Sequence, residues 1–157
     1  MSNILRLTVK NKTGVLARIS SLFSGKGYNL DSLTAGISNN PAISRITLVC
    51  KSDDVEFEQI KKQLNKFIDV IKVIDLTGKH MVQKELAFVK ILFNDDQKKN
   101  IICIANTFDA KMHNISSNSI VLELADTSEK IDYFLSLLTQ KYKVKEIARS
   151  GVVAMEL

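Results

Sequence analysis

Residues 4–37 read ILRLTVKNKTGVLARISSLFSGKGYNLDSLTAGI, and the spacing of their apolar side chains decides the fold. Residues 4–9 alternate apolar and polar side chains, which predicts a half-buried strand. The spacing then becomes helical, with one apolar face formed by Val15, Leu16, Ile19, Leu22 and Phe23. Gly25 and Gly27 end this helix, and residues 28–37 resume a strand pattern. The segment is therefore predicted to be a β-α-β unit.

The following residues extend that unit into a complete small domain. Residues 43–51 are predicted to form the second strand of a hairpin, with Ser38-Asn39-Asn40-Pro41 as its turn. A second helix is predicted over 56–67, with Asp53 or Asp54 near its N-terminus, and residues 70–76 close the unit as a strand. The order β-α-β-β-α-β is the split βαβ of ferredoxin-like domains.

The same order returns in the second half of the chain. The predicted elements are a strand at 86–93, a helix that Asp95 or Asp96 caps, a hairpin at 111–116 and 120–124, a helix opened by Thr127 and a strand at 144–147. We therefore predict an α+β fold with two ferredoxin-like βαββαβ domains, at 1–77 and 85–157, joined by a linker at 78–84. Helices on one face leave the other face and the edges of each sheet open, so we expect the chain to form a dimer.

Composition and charge argue against several classes of protein. The 157 residues are 45% hydrophobic and 25% charged, and no run approaches the ~20 apolar residues of a membrane span. The N-terminus lacks the apolar core of a signal peptide, and Cys50 and Cys103 lie in apolar runs. We therefore predict a cytoplasmic protein with both cysteines in its core. The net charge of +5 is spread along the chain, which is typical of a solvated surface and argues against nucleic-acid binding.

The loop Asn11-Lys12-Thr13-Gly14-Val15-Leu16 joins the first strand to the first helix and carries the most informative chemistry. A helix N-terminus presents unpaired amides and the positive end of a dipole, which together suit an anion. Gly14 allows a ligand to approach the backbone closely, and Asn11 offers both donors and an acceptor. The alternative is structural: Asn11 and Thr13 turn the chain and cap the helix, and Gly14 fits the bend. The residues alone leave both readings open.

The loop and the residues after it resemble a known family. The run VKNKTGVLARI at 9–19, followed by LFSGKGYNLDSLT at 22–34, is similar to the ACT domain of the acetohydroxyacid synthase (acetolactate synthase) small regulatory subunit. The resemblance continues through PAISRIT at 41–47, QIKKQLNK at 59–66 and ARSGVV at 148–153, and so covers nearly the whole chain.

The resemblance implies a binding mode and a function. In this family an effector amino acid lies between two ACT domains of a dimer, and feedback inhibition by valine is the expected response. The amides of Gly14, Val15 and Leu16 would hold the carboxylate of the effector, and Asn11 would hold its polar head. Asn29 and Leu30 would approach from the partner subunit. The chain itself would be no enzyme: thiamine diphosphate, Mg²⁺ and FAD would reside in a separate large catalytic subunit, which this chain would activate.

Catalytic and metal-binding signatures are absent from the sequence, which agrees with a regulatory role. His80 and His113 have no metal-ligand spacing, and there is no nucleophile elbow, phosphate loop or dinucleotide fingerprint. The alternative hypothesis is a free-standing ACT-type amino-acid sensor in transcription control, against which no helix-turn-helix segment is apparent.

Overall fold

The computed structural model of the protein describes residues 2–157 and divides into two compact units. In the N-terminal unit the elements are β1 (Ser2–Lys10), α1 (Val15–Lys26), β2 (Leu30–Ile37), β3 (Ile43–Lys51), α2 (Asp54–Leu64) and β4 (Val70–Asp75). They form an antiparallel sheet with the strand order β2-β3-β1-β4, so β2 and β4 are its edge strands.

The core of this unit lies between the sheet and its two helices. Alternate residues of β1, among them Leu5 and Leu7, point into this core, and the apolar faces of both helices pack against them. The helix ends follow from local chemistry. Asp53 caps α2 by accepting a hydrogen bond from the Glu56 amide at 2.8 Å, and Gly27 ends α1 in the left-handed conformation.

The C-terminal unit repeats this topology. Its elements are β5 (Met81–Leu92), α3 (Lys98–Thr107), β6 (Lys111–Ile115), β7 (Ser119–Asp126), α4 (Ser128–Lys141) and β8 (Lys143–Arg149), with the strand order β6-β7-β5-β8. A separate core encloses Phe134, which is fully buried, together with Phe108 at 5.0 Å between ring centroids. The predicted α+β class with two βαββαβ repeats is confirmed.

The boundaries between the units differ from the predicted ones. The predicted linker at 78–84 is too long at its C-terminal end, because β5 begins at Met81 and the connection is a tight turn around Gly78. The N-terminal unit extends to Val82 and also contains 152–157, which we assigned to the C-terminal domain. A ninth strand, β9 (Val153–Glu156), lies in this last segment and was not predicted, since four residues give too short a pattern.

Two local predictions in the C-terminal half are wrong. The residue before α3 is Gln97, not Asp95 or Asp96, and its side chain bonds the Asn94 amide instead of a helix amide. Cys103 is exposed, whereas Cys50 is buried as predicted. The apolar run around Cys103 gave a wrong prediction, because neighbouring positions on a helix point in different directions: Ile101, Ile104 and Ala105 pack on the core, and Cys103 does not.

Candidate functional site

Asn11 is held by two hydrogen bonds to the β2–β3 turn. Its backbone amide donates to the Ala42 carbonyl at 2.8 Å, and its Nδ2 donates to the Pro41 carbonyl at 2.9 Å. The residue therefore has a structural role, and the side chain is fixed with its donor already engaged. Its Oδ1 has no protein partner within residues 2–157, so it can still accept a hydrogen bond from a ligand's ammonium group.

Gly14 immediately precedes α1 and is exposed in a left-handed conformation, with φ 88° and ψ −9°. No side chain caps the helix here, although the Arg18 amide bonds the Gly14 carbonyl at 3.0 Å and so begins the helical pattern. Among the described residues, the amides of Gly14, Leu16 and Ala17 have no hydrogen-bond partner. Three open donors at the positive end of a 12-residue helix form a suitable site for a carboxylate.

Val15 and Leu16 differ in what they can offer a ligand. The Val15 side chain is buried in the core of the N-terminal unit, and its amide already makes a long, 3.4 Å bond to the Lys12 carbonyl. The Leu16 side chain is 45% exposed, and its amide is open. Of the three predicted amides, those of Gly14 and Leu16 are therefore open to an anion, while Val15 anchors the helix start to the sheet.

Charged groups flank the loop on the side of β4. Asp69 lies 3.1 Å from Arg18 and 3.8 Å from Lys10, and it therefore neutralises part of the positive charge near the helix start. A small depression beside the loop is lined by Val15, Arg18, Ile19, Phe67, Asp69 and Val70. This depression is apolar at its base, so the open amides at Gly14 remain the polar centre of the candidate site.

Asn29 and Leu30 lie far from this loop within one chain. Because β1 and β2 are each antiparallel to β3, they run in the same direction. Leu30 pairs with Cys50 at one end of β3, whereas Lys10 pairs with Ile43 at the other end. Seven residues of strand separate these two pairs, about 23 Å at the usual rise per residue. A single chain thus brings Asn11, Gly14, Val15 and Leu16 together and keeps Asn29 and Leu30 apart from them.

A polar network in the C-terminal unit was not predicted, because its members are far apart in the sequence. Glu85 is buried and receives two bonds from Arg149, at 2.6 Å to Oε1 and 2.9 Å to Oε2, and a third from the Ser128 hydroxyl at 2.9 Å. Arg149 also donates to Asp132 at 2.6 Å. These bonds, chiefly those from Arg149, hold the pKa of Glu85 below its usual value. The network joins the start of β5, the end of β8 and the start of α4, and so stabilises the C-terminal unit.

The remaining ionisable groups of residues 2–157 do not form a metal site. His113 bonds Glu123 at 2.5 Å on an exposed part of the second sheet, and its ring packs edge-on against Phe88. No group of three or more His, Cys, Asp or Glu side chains within residues 2–157 is placed to hold a metal ion. None of the helices in that part of the chain has the length and apolar character needed to cross a membrane.

Comparisons with known proteins cover both units. Residues 5–72 match the family model of the AHAS small subunit-like ACT domain, and residues 84–157 match that of the small subunit of acetolactate synthase. The acetolactate synthase small subunit of Bacillus subtilis is 41% identical over 155 residues, covering 98% of this chain and 90% of that protein. A probable acetolactate synthase small subunit of Methanothermobacter thermautotrophicus is also 41% identical, covering 98% of this chain and 92% of its own length.

A solved structure supports the same grouping. The crystal structure of the acetolactate synthase small subunit from Thermotoga maritima superposes with a TM-score of 0.89 and 35% sequence identity. The superposition covers 99% of this chain and 96% of that one, so it includes both units and the segment after β8.

Proposed function

The chain belongs to the family of acetolactate synthase small subunits, and from this premise we propose that it activates a catalytic large subunit and makes it sensitive to valine. A small subunit of this family is not the catalytic chain. The large subunit would condense pyruvate with pyruvate or 2-oxobutyrate, and thiamine diphosphate, Mg²⁺ and FAD would reside there. This chain would contribute regulation in the synthesis of branched-chain amino acids in the cytoplasm.

The observation that carries the proposal is the separation, within one chain, of two half-sites. One half-site is the loop with Asn11, Gly14, Val15 and Leu16, and the other is Asn29 with Leu30. Gly14 and Leu16 present open amides at one end of the first sheet, and Asn29 and Leu30 lie at the other end. A half-turn about an axis perpendicular to the sheet exchanges these ends. A second copy placed edge to edge along β2 therefore brings its own Asn29 and Leu30 to the end where the first copy's loop lies.

Edge strand β2 supports this arrangement. It pairs only with β3 inside the sheet, and its last three residues, Ala35, Gly36 and Ile37, are exposed. An unpaired edge of this kind favours the addition of another strand. The bonds from Asn11 to Pro41 and Ala42 also tie the loop to the turn at the end of β2, and so hold it on the side where the second copy would lie.

The chemistry of the loop suits an amino-acid effector. The amides of Gly14 and Leu16 would receive the carboxylate, and Oδ1 of Asn11 would accept a bond from the ammonium group. Leu16 and the partner's Leu30 would offer apolar surface to a small aliphatic side chain. The family relationship favours valine among the amino acids that fit this description.

A ligand that contacts two chains can regulate the complex through the dimer. Such a ligand stabilises the arrangement in which both half-sites meet, by the difference in its affinity for the two arrangements. If the large subunit is activated by the other arrangement, valine lowers activation without touching the catalytic centre. Coupling of about 1–3 kcal/mol would make the affinity for valine differ by roughly 5–150-fold between the two arrangements.

An activity assay with the purified large subunit tests the proposal. Adding this chain should raise acetolactate formation several-fold, and valine should reverse that increase while leaving the large subunit alone unaffected. Activation without a valine response would contradict the effector assignment. Absence of any complex or activation would contradict the subunit assignment itself.

A further inference from the structure

The open face of the N-terminal sheet is apolar at the end where β2 begins. Ile4, Val49 and Ile74 point away from the two helices and lie on three adjacent strands, β1, β3 and β4. Ile4 and Val49 are nevertheless only 7% and 8% exposed. Another part of the N-terminal unit must therefore cover them.

The cover is the segment 152–157. Val152 and Ala154 are 6% and 5% exposed, and they pack in one cluster with Ile4, Val49 and Leu76. The alternating residues Val153 and Met155 are exposed, as expected of a strand with one buried face.

Polar contacts fix the position of this segment at its far end. Glu156 pairs with Lys79 at 3.0 Å, and the Leu157 amide donates to the His80 carbonyl at 3.1 Å. Both partners lie in the turn that follows β4, so the segment is tied to the N-terminal unit and not merely packed on it.

The near end of the segment is fixed on β2. The Val152 amide donates to Oγ of Ser32 at 3.0 Å, across 120 positions of sequence. Ser32 follows directly on a register shift in the pairing of β2 with β3, where Asp31 is left outside the regular ladder. The strand start that carries Asn29 and Leu30 is thus irregular, and this hydrogen bond is one of the contacts that hold it.

We propose that Ser32 is a positioning residue for the effector site, and that 152–157 controls effector affinity by holding the start of β2. This inference rests on the proposed function and adds a regulatory connection to it. Residues at the C-terminal end of the sequence and the half-site at Asn29 and Leu30 are coupled through one hydrogen bond and one apolar cluster. A loosened β2 start would have to be ordered when the ligand binds, which lowers affinity.

Calorimetric titration of the full chain with valine tests this proposal. Ser32→Ala removes the acceptor for the Val152 amide and should weaken valine binding by about threefold to tenfold. Ser32→Thr keeps a hydroxyl and should bind within about twofold of the wild type. Ser20→Ala, on the exposed face of α1, is the matched control and should change nothing.

Amide hydrogen exchange separates positioning from simple stabilisation. Valine should slow exchange at the Val152 amide in the wild type and in Ser32→Thr, whereas in Ser32→Ala that amide should exchange rapidly. A Ser32→Ala protein that binds valine as tightly as Ser20→Ala, with no effect of valine on exchange at the Val152 amide, would overturn the role proposed for Ser32 and leave the proposed function standing. A wild-type protein that does not bind valine would overturn the effector part of the proposed function as well.

Discussion

Gly14 shows why one residue can serve both the fold and a ligand. Its φ of 88° is in the left-handed region, where side chains with a Cβ are strained, and no atom beyond its two chain neighbours lies within 4 Å of the space a Cβ would fill. The conformation turns the chain from β1 into α1 and leaves the neighbouring amides open. The structural and functional readings of this loop are therefore compatible.

A pair of substitutions at Gly14 distinguishes charge from backbone strain. Gly14→Asp adds a carboxylate beside the open amides and should repel the ligand's carboxylate, while Gly14→Asn adds the same shape without charge and tolerates the left-handed region. We expect the Asp variant to bind valine at least ~30-fold more weakly than the Asn variant. The free energies of unfolding of the two variants, measured by urea denaturation, should agree within ~1 kcal/mol. Equal valine affinities in calorimetry would remove Gly14 from the site.

At the scale of secondary-structure elements, the Glu85 network connects the first and last strands of the C-terminal unit to α4. Glu85 is nearly buried, and its principal partner Arg149 keeps about a third of its side chain exposed. The Ser150 amide also bonds the Leu86 carbonyl at 2.9 Å, and the Ser150 hydroxyl accepts a bond from the Leu86 amide at 3.0 Å. These bonds hold β5 and β8 together at the C-terminal end of β8.

This network predicts a pH-dependent stability of the C-terminal unit. Because Arg149 lowers the folded-state pKa of Glu85, the stabilisation is complete above the usual value of 4.5 and is lost as the pH falls through the folded pKa. Glu85→Gln should destabilise the unit by about 1–3 kcal/mol at pH 7, and the difference from wild type should shrink in acid below that value.

Amide exchange in β5 and β7 at neutral and acidic pH provides the measurement. Glu129→Gln is the matched control, since Glu129 is exposed and makes no ion pair within the described residues. It should change stability by less than ~0.5 kcal/mol at either pH. A Glu85→Gln effect that is equal at both pH values would contradict the electrostatic explanation.

At the scale of the whole molecule, the proposed effector site needs two copies of the chain. Its two halves are separated by the length of the sheet in one chain, and a symmetry-related second copy would bring them together. The proposed regulation depends on this property, since a ligand that contacts only one chain would bind both dimer arrangements with equal affinity and could not favour either.

Mixing two inactive variants tests the shared site. Gly14→Asp disables the loop half, and Leu30→Asp, which introduces a negative charge at the start of β2, disables the partner half. Each homodimer should fail to bind valine, but a mixed dimer pairs one intact loop with one intact β2 start. Random exchange should restore about a quarter of the wild-type sites, measured by calorimetry after refolding the mixture.

The mixing experiment has a clear opposite outcome. If both halves of the site came from the same chain, no combination of the two variants would bind valine. Mixing Gly14→Asp with itself after the same refolding step is the control for the procedure, and it should show no binding.

Local patterns in the sequence were sufficient for most of the elements. Strand β3 was predicted with its observed bounds, because Ile43–Lys51 is rich in β-branched and apolar residues and follows a clear turn at 38–41. The start of α4 at Thr127 was predicted, and that of α2 was narrowed to Asp53 or Asp54, because capping depends on residues only three positions apart. The cap of α3 was missed, since Asp95, Asp96 and Gln97 offer equally good local chemistry and packing selects the helix start.

The sequence by itself determined the two βαββαβ repeats, the turn at Gly14 and the family, because periodicity, capping and motif spacing are properties of neighbouring residues. The tertiary structure decided what depends on contacts between distant residues. It placed 152–157 with the N-terminal unit through Ser32, Ile4 and Val49, and it buried Glu85 against Arg149. It also set the strand register that keeps Asn29 away from Asn11. No local pattern encodes such pairings, because their free energy appears only when both surfaces are folded.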